Sequence, residues 1–348
     1  MSRNQEQTKK IVSYVLMNVR EHPKDITNIT SQEFGITRQA VLRHIRKLVD
    51  NGVLVVNGKT RDRHYELKPF AQEIFEFKIN SDLREDIVWR KYVFPLLTGL
   101  ESNVLEICSY GVTEMVNNVI DHSDGDKLSV NVTFAIDLID ILVIDDGIGI
   151  FQKLSSELNL DDNIHAILEL TKGKLTTDPE HHTGEGIFFT SRSFDRFVIT
   201  SGNLYFSHKE ESGDWLLEEQ ENITQGTVIR MQINPLSNRK LLDVFNKYAS
   251  GEDFGFTKTH IPVALARYGD ENLISRSQAK RLLARFDKFQ EIILDFDRVD
   301  SIGQAFADEI FRVFQKQHPD IHLSTIRASA NVQKMIKRAK THNNIQTT

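Results

Sequence analysis

This sequence has little cysteine, no long apolar run and no segment with the pattern of a secretory leader. Cys108 is the only cysteine among the 348 residues, so an intrachain disulfide is excluded. The most apolar stretch, residues 134–144, contains Asp137 and Asp140 and is far too short to cross a bilayer. No basic segment followed by an apolar one opens the chain. We therefore expect a cytoplasmic protein with no membrane segment.

Charge is distributed unevenly along the chain. The net charge is −6, but residues 1–68 hold 13 Lys and Arg against 7 Asp and Glu, whereas the other residues hold 30 against 42. A basic segment on an acidic body indicates that the first segment binds a polyanion, although a merely solvated basic surface would carry the same charge. Apolar residues at 40% and charged residues at 26% are typical of a globular protein, and the length predicts two or three domains.

The basic segment has the element order of a winged helix-turn-helix. Apolar residues recur at helical spacing over residues 5–21, a short helix is expected at Ser31–Phe34, and Thr37 caps a third helix. Two β-rich runs, Val53–Val56 and His64–Leu67, then form a hairpin with a basic tip. The order predicts a winged-helix domain at residues 1–68.

In a winged helix, the third helix enters the major groove of duplex DNA and the hairpin, or wing, contacts phosphates. The candidate DNA-binding side chains are Arg38, Gln39, Arg43, Arg46 and Lys47 on the third helix, and Lys59, Arg61 and Arg63 on the wing. Arg38 and Gln39, near the helix start, are the better candidates for base contacts, because bidentate groups read base edges. Winged helices also dock proteins, and this alternative stays open.

Residues 70–235 alternate between helical and β periodicity and predict an α/β domain. We predict helices at 82–97 and 101–121, and strands at 74–79, 127–135, 138–144, 196–207, 214–220 and 226–233. Residues 150–183 read as polar and irregular, which is long for a structureless connection, so we expect a lid or a partly disordered loop there.

Polar side chains recur on one face of the helix at 101–121. Glu114, Asn118 and His122 follow each other at intervals of four residues, among apolar neighbours. The Asn118 side-chain oxygen is a suitable ligand for Mg²⁺, and the Glu114 carboxylate could polarise a water or hydroxyl nucleophile. An ordinary exposed polar face would show the same spacing.

Glycine-containing motifs lie at the ends of three predicted elements. Asp145 ends a β-run, and Gly147 and Gly149 follow it at alternate positions. Gly184 and Gly186 open an apolar run, where backbone N–H groups at a helix start can face phosphate oxygens. Gly226-Thr227 opens an apolar strand. Each turn is common by itself, and only their order is informative.

In this order the motifs resemble those of the GHKL ATPase superfamily, which includes gyrases, heat-shock chaperones, histidine kinases and mismatch-repair proteins. The boxes are Glu114-x-x-x-Asn118-x-x-x-His122, Asp145-x-Gly147-x-Gly149, Gly184-x-Gly186 and Gly226-Thr227. The resemblance implies an α/β sandwich of the Bergerat type that binds ATP and Mg²⁺. One departure is Phe188, which stands where the third box usually has a further glycine.

The resemblance also implies roles for single residues. Glu114 would activate the nucleophile, Asn118 would bind Mg²⁺, and Asp145 would accept the adenine amine with support from Thr227. Four basic side chains of the predicted lid could reach phosphate, although solvated loop charges are the alternative: Lys172, Lys174, His181 and His182. Among GHKL proteins the chain is most similar to the compact anti-sigma-factor serine kinases.

Residues 250–340 predict a third, small α/β domain of alternating strands and helices. It resembles the STAS-like domains of anti-sigma-factor antagonists, in which a loop serine is phosphorylated. Ser301 corresponds to the first serine of that loop, whereas Ile302 stands at the phosphorylated position. Asp300 and Ser301 could instead turn the chain and cap a helix, and Ser275 and Ser277 are further cap candidates.

The sequence therefore predicts a multidomain α/β protein: a winged helix, a Bergerat-type sandwich and a STAS-like domain. The first functional hypothesis is a transcriptional or signalling regulator, in which ATP couples DNA binding to the STAS-like domain and to a regulatory protein bound there. The second is a serine/threonine kinase that phosphorylates its own STAS-like domain or a partner. A scaffold that binds no nucleotide is the third.

Overall fold

The described residues form a mixed α/β structure with three separate sheets and three hydrophobic clusters. The computed structural model describes residues 3–160, 162–175, 184–209, 213–218, 224–249, 256–267 and 272–341. In those ranges no helix has the length and apolar character that a membrane crossing requires. Predictions for His181 and His182 lie outside the described residues.

The N-terminal unit consists of three helices and a hairpin. The elements are α1 (Arg3–Asn18), α2 (Ile26–Phe34), α3 (Arg38–Asp50), β1 (Leu54–Asn57) and β2 (His64–Leu67). Helix α3 begins where predicted, because the Thr37 side chain accepts a hydrogen bond from the Ala40 N–H at 3.2 Å. Val41 and Ile45 of α3 are buried against α1, whereas the basic side chains of α3 lie on its outer face.

A seven-stranded sheet forms the central unit. Its strands are β3 (Ala71–Lys78), β4 (Lys127–Phe134), β5 (Ile139–Asp145), β6 (Arg196–Gly202), β7 (Leu204–Lys209), β8 (Gly213–Glu218) and β9 (Thr224–Ile233). Their order is β3-β4-β5-β9-β6-β7-β8, and every neighbouring pair is antiparallel. In this register Asp145 at the end of β5 lies opposite Thr227 of β9.

Helices accompany this sheet, and several of them pack against its strands. They are α4 (Glu85–Val88), which continues through a π turn and a 3₁₀ turn to Leu97, α5 (Ser102–His122), α6 (Ile150–Glu157), α7 (Asn163–Lys172), α8 (Gly186–Ser193) and α9 (Leu241–Tyr248). Helix α5 approaches closely at Gly111, where an added Cβ would lie 2.5 Å from the Phe194 ring. The apolar face of α5 is buried, so its polar residues line the edge of the core.

The prediction of an irregular loop over residues 150–183 is wrong for α6 and α7. Phe151 and Leu154 bury one face of α6, and Ala166, Ile167 and Leu170 bury α7. The Asp162 side chain caps α7 by accepting from the His165 N–H at 2.8 Å. Polar residues between these apolar positions hid a helical period that only packing reveals.

Two other predicted elements are divided in the structure. The predicted strand 196–207 is a tight hairpin of β6 and β7, because Gly202 adopts a φ of +60° and reverses the chain. The predicted helix at 82–97 changes from α to π to 3₁₀ geometry, with Pro95 at the start of the 3₁₀ turn.

The C-terminal unit is a three-stranded parallel sheet with helices in its connections. It contains β10 (Lys258–Pro262), α10 (Arg276–Leu283), β11 (Glu291–Asp295), α11 (Gln304–Asp308), α12 (Gln315–Gln317), β12 (His322–Ile326) and α13 (Ala330–Thr341), in the order β10-β11-β12. Helix α10 ends at Leu283, two residues before Arg285, which adopts a φ of +63°. Ser275 caps α10 as predicted, in a reciprocal pair with Gln278, whereas Ser277 lies inside the helix.

Candidate functional site

A cavity of about 300 Å³ opens between α5, the end of β5, α6 and the first turn of α8. Seven of the predicted site residues line it: Glu114, Asn118, Asp145, Gly149, Gly184, Gly186 and Thr227. Gly147 is not among the lining residues. These residues come from four separate motifs, and the first and the last, Glu114 and Thr227, are more than 100 positions apart in the chain. The fold therefore brings the four motifs together around one space.

Asp145 is the buried acid of this cavity, with 5% of its surface exposed. Its Oδ1 accepts hydrogen bonds from the Gly147 N–H at 2.9 Å and the Thr227 N–H at 3.3 Å. Burial raises the pKa of Asp145, and hydrogen bonds from Gly147 and Thr227 oppose that rise. A buried carboxylate held in this way can accept a further donor from a ligand in the cavity.

Thr227 hydrogen-bonds both Asp145 and the first residue of α6. Its Oγ1 accepts a hydrogen bond from the Ile150 N–H, the first residue of α6, at 3.0 Å, and its side chain also hydrogen-bonds Asp145. Thr227 is 5% exposed. The residue thereby positions both the carboxylate and the start of the helix that lines the cavity.

The glycines of this turn are required by close backbone packing. An added Cβ at Gly147 would lie 1.9 Å from the Ser123 carbonyl oxygen, and one at Gly149, which has a φ of +90°, would lie 2.5 Å from Ser201 Oγ. An added Cβ at Gly226, with a φ of +72°, would lie 2.1 Å from the Asp145 carbonyl oxygen. Gly147 therefore allows the turn to pack against the Ser123 carbonyl, and the backbone of Gly149 lines the cavity.

The side of the cavity that α5 forms carries a carboxylate, Glu114, and a side-chain amide, Asn118. Glu114 and Asn118 lie one turn apart on α5, and an added Cβ at Gly186 would lie 2.0 Å from Glu114 Oε2. Burial raises the pKa of Glu185, although Lys174 opposes the rise. Burial and the nearby Glu114 and Glu185 also raise the pKa of Tyr110. The glycine at the start of α8 thus allows the helix to approach the Glu114 carboxylate.

The residues around the cavity could supply single oxygen ligands to a metal ion, from Glu114, Asn118 and Asp145. The Asn118 side-chain nitrogen is buried without a hydrogen-bond partner, so its N–H groups can donate to an acceptor atom of a bound ligand. Across the described ranges, no group of three or more His, Cys, Asp or Glu is arranged to hold a metal ion. Mg²⁺ often binds through one or two protein oxygens and completes its shell with phosphates and waters.

The apolar wall of the cavity was not predicted. It consists of Val119, Ile150, Leu154, Leu170, Leu175, Ile187, Phe188 and Ile229. Helical periodicity of α6 and α7 would have identified Ile150, Leu154 and Leu170, had those helices been recognised. Lys153 also lines the cavity, where its Nζ pairs with Asp124 Oδ2 at 2.6 Å.

The alternative of a solvated loop charge is wrong for Lys172. Its side chain is fully buried and contacts the Glu169 carboxylate. Lys174 donates from Nζ to the Lys288 carbonyl oxygen at 3.0 Å, so it too is directed toward the C-terminal unit. Neither residue is among those that line the cavity.

The predicted DNA-binding residues all lie on the N-terminal unit. Those exposed in the structure are Arg38, Gln39, Arg43, Arg46, Lys47, Lys59 and Arg63. Arg38 donates to Asn28 Oδ1 at 2.6 Å, and Arg63 lies over the Tyr65 ring. Arg61 belongs to a 3₁₀ turn between β1 and β2, and its side chain is outside the described part.

The predicted phosphoacceptor loop precedes α11. Ser301 is exposed and Ile302 is buried at 5% exposure, where it bridges to Leu273. Gly303, and neither Asp300 nor Ser301, occupies the N-cap position of α11. The proposed capping role of Asp300 and Ser301 is therefore wrong.

Comparison with protein-family models matches residues 278–333 to the STAS-like domain of unknown function (DUF4325). The matched range begins in α10, ends in α13, and includes strands β11 and β12 of the parallel sheet. The chain therefore carries a C-terminal STAS-like domain. A search of curated proteins gives no match to the chain.

Proposed function

We propose that this protein is an ATP-binding transcriptional or signalling regulator. In this proposal a GHKL-type nucleotide domain of the Bergerat fold lies between a DNA-binding winged helix and the STAS-like domain. The STAS-like match itself points to a signalling or regulatory role. The observation that carries the nucleotide assignment is the convergence of Glu114, Asn118 and Asp145 on one cavity of about 300 Å³.

Each of these residues has a distinct task in the proposal. The Asp145 carboxylate accepts the exocyclic amine of adenine, and the apolar wall of the cavity contacts the base. The Asn118 amide supplies an oxygen to Mg²⁺, which neutralises phosphate charge when it is bound with the nucleotide. Glu114, opposite Asp145, orients a water or a hydroxyl group toward the terminal phosphate.

The fate of the γ-phosphate separates a switch from an enzyme. We would incubate the full chain with γ-labelled ATP and Mg²⁺ beside Glu114→Ala and a matched control, Glu106→Ala, from an exposed position of the same helix. The regulator hypothesis predicts bound ATP, with no label on protein and slow or no release of phosphate. Glu114→Ala should reduce any release of phosphate and any transfer of label to protein, whereas Glu106→Ala should change neither. Absence of any ATP binding would refute the proposal and favour a nucleotide-independent scaffold.

The kinase alternative has one supporting observation. Ser301 is an exposed hydroxyl in the loop before α11 of the STAS-like domain. Label retained on the protein, and abolished by Ser301→Ala, would make the chain a serine kinase that modifies its own STAS-like domain. Retained label that survives Ser301→Ala would place the acceptor elsewhere.

The DNA-binding part of the proposal rests on the exposed basic side chains of α3 and the hairpin. We expect the full chain to bind duplex DNA with an affinity that falls steeply with salt, since phosphate contacts release counterions. Arg43→Ala should weaken binding to all sequences and reduce the slope of log K against log salt by about 1. The control Arg338→Ala, on an exposed position of α13, should change neither. No binding at low salt would leave protein docking as the role of this unit.

A further inference from the structure

A buried polar cluster joins the nucleotide cavity to the STAS-like domain. It consists of Glu169 and Lys172 at the end of α7, with exposures of 1% and 0%, and Arg285 just beyond α10. Charged side chains are rarely buried to this degree unless they are fully paired. We name these three residues the junction cluster.

Hydrogen bonds of the junction cluster cross from the central unit to the C-terminal unit. Lys172 Nζ donates to the Glu169 carboxylate, to the Arg281 carbonyl oxygen at 3.1 Å and to the Ala284 carbonyl oxygen at 2.9 Å. Because a lysine ammonium has three donors, this one is satisfied, and two of its acceptors belong to the STAS-like side. Those two carbonyls lie at the C-terminal end of α10, where a positive charge is favourable.

Further hydrogen bonds hold the backbone around Lys172 from the same side. Arg285 donates from Nη1 to Glu169 Oε2 at 3.2 Å and from Nη2 to the Lys174 carbonyl oxygen. The Thr259 hydroxyl donates to the Lys172 carbonyl oxygen at 2.8 Å. Residues 172–174 are therefore positioned by side chains of the C-terminal unit.

The same segment forms part of the cavity wall. Leu170 and Leu175, on either side of Lys172, both line the cavity, and the Leu175 N–H donates to the Gly184 carbonyl oxygen at 3.1 Å. Gly173 has a φ of +79°, and an added Cβ there would lie 2.6 Å from the Phe256 ring. A displacement of α10 would therefore move the wall at Leu170 and Leu175.

A second, apolar connection supports the first. Phe188 of α8 lines the cavity, yet its ring packs against Phe256 at 4.5 Å and Tyr248 at 4.9 Å between centroids. Phe188, Tyr248 of α9 and Phe256 belong to one hydrophobic cluster, which also contains the core of the C-terminal unit. Helix α8 begins at Gly186 beside Glu114, so this connection reaches the opposite side of the cavity.

We propose that the junction cluster fixes the wall of the nucleotide cavity at Leu170 and Leu175 against the STAS-like domain, so that nucleotide binding and the position of α10 are coupled. Glu169, Lys172 and Arg285 are positioning residues in this mechanism. By reciprocity, a protein partner that displaces α10 changes nucleotide affinity, and nucleotide changes the affinity for that partner. The inference rests on the proposed nucleotide site, and its test is designed to separate the two.

Hydrogen exchange of the full chain with and without Mg²⁺ and ATP tests the coupling directly. We expect ATP to slow exchange of the backbone amides at residues 281–289, none of which lines the cavity. In the double variant Glu169→Gln/Lys172→Met, which removes both charges together, we expect this remote protection to disappear and ATP affinity to fall about 5-fold or more. The control Lys258→Met breaks an ion pair with Glu291 at 3.0 Å within the C-terminal unit and should leave both effects intact.

Direct ATP titration of the same samples distinguishes the outcomes. If the wild type binds ATP but residues 281–289 exchange at an unchanged rate, the coupling is refuted and the nucleotide site stands. Remote protection that persists in the double variant would also overturn the role of the junction cluster. If the wild type binds no ATP, both proposals fail. The wild-type exchange measurement decides the question even if the double variant does not fold.

Discussion

The pH dependence of unfolding tests the burial of Lys172. Burial lowers the pKa of Lys172 from 10.5 to about 8, although the Glu169 carboxylate opposes the change. Between these two values the unfolded chain holds a proton that the folded chain has lost, so the free energy of unfolding rises with pH. The difference corresponds to about 3 kcal/mol in total, of which about 2–3 kcal/mol should develop between pH 7 and pH 10.

Urea unfolding of the wild type and Lys172→Met at pH 7, 8, 9 and 10 isolates this effect. Burial raises the pKa of Cys108 to about 12 and also raises that of Tyr110, and both groups destabilise the fold as pH rises. Because the variant retains Cys108 and Tyr110, we expect the wild-type advantage over it to grow by about 2–3 kcal/mol across the series. A constant difference would mean that burial does not lower the pKa of Lys172 below that of a solvated lysine, because its three acceptors compensate for the lost hydration.

Three further predictions concern other parts of the fold. Phe188→Ala should lower the free energy of unfolding by about 3–5 kcal/mol because its ring is 1% exposed, whereas Phe94→Ala, at 42% exposure, should cost less than about 1 kcal/mol by the same urea assay; equal losses would contradict the packing. Thr37→Ala should cost about 1 kcal/mol through loss of the α3 cap, and no loss would mean that the cap is not formed in solution. Asp145→Asn should cost less than about 1 kcal/mol, since burial disfavours the charge and an amide oxygen can still accept from the Gly147 N–H; a larger loss would make Asp145 a structural residue.

Local periodicity predicted the simplest elements of the fold. Helix α3 and strands β4 and β5 lie close to their predicted positions, and the C-terminal unit alternates strands and helices as predicted. These elements combine a regular apolar spacing with an end signal, such as the Thr37 cap. Helices α6 and α7 lacked a clear pattern, because their apolar residues are interspersed with charges, of which Glu169 and Lys172 of α7 pack against the C-terminal unit.

The polar half of the cavity was predictable, and its apolar half was not. Glu114, Asn118 and Asp145 are conspicuous as polar residues among apolar neighbours. Leu170 and Leu175 resemble ordinary core residues until tertiary packing directs them to a cavity. Lys172 shows the same limit, because no local signal distinguishes a lysine that pairs with Glu169 from one that is solvated.

Phe188 illustrates how a departure from a motif can have a structural reason. The glycine box that it follows would usually continue with glycine, and a flexible turn would be expected there. In this chain the position carries an aromatic ring that packs into the cluster of the C-terminal unit. Phe188 therefore lines the cavity and also packs against the C-terminal unit.

The preference for ATP over GTP tests the central claim most directly. The Asp145 carboxylate can accept the amine of adenine, whereas guanine presents a carbonyl oxygen at that position and would be repelled. We expect the wild type to bind ATP in the presence of Mg²⁺ and to bind GTP far more weakly. Asp145→Asn should weaken ATP binding about 10- to 100-fold, as expected for loss of a hydrogen bond to a charged group, and should reduce the preference. The exposed control Asp243→Asn should behave as the wild type. Equal binding of both nucleotides, or full ATP affinity in Asp145→Asn, would contradict the account.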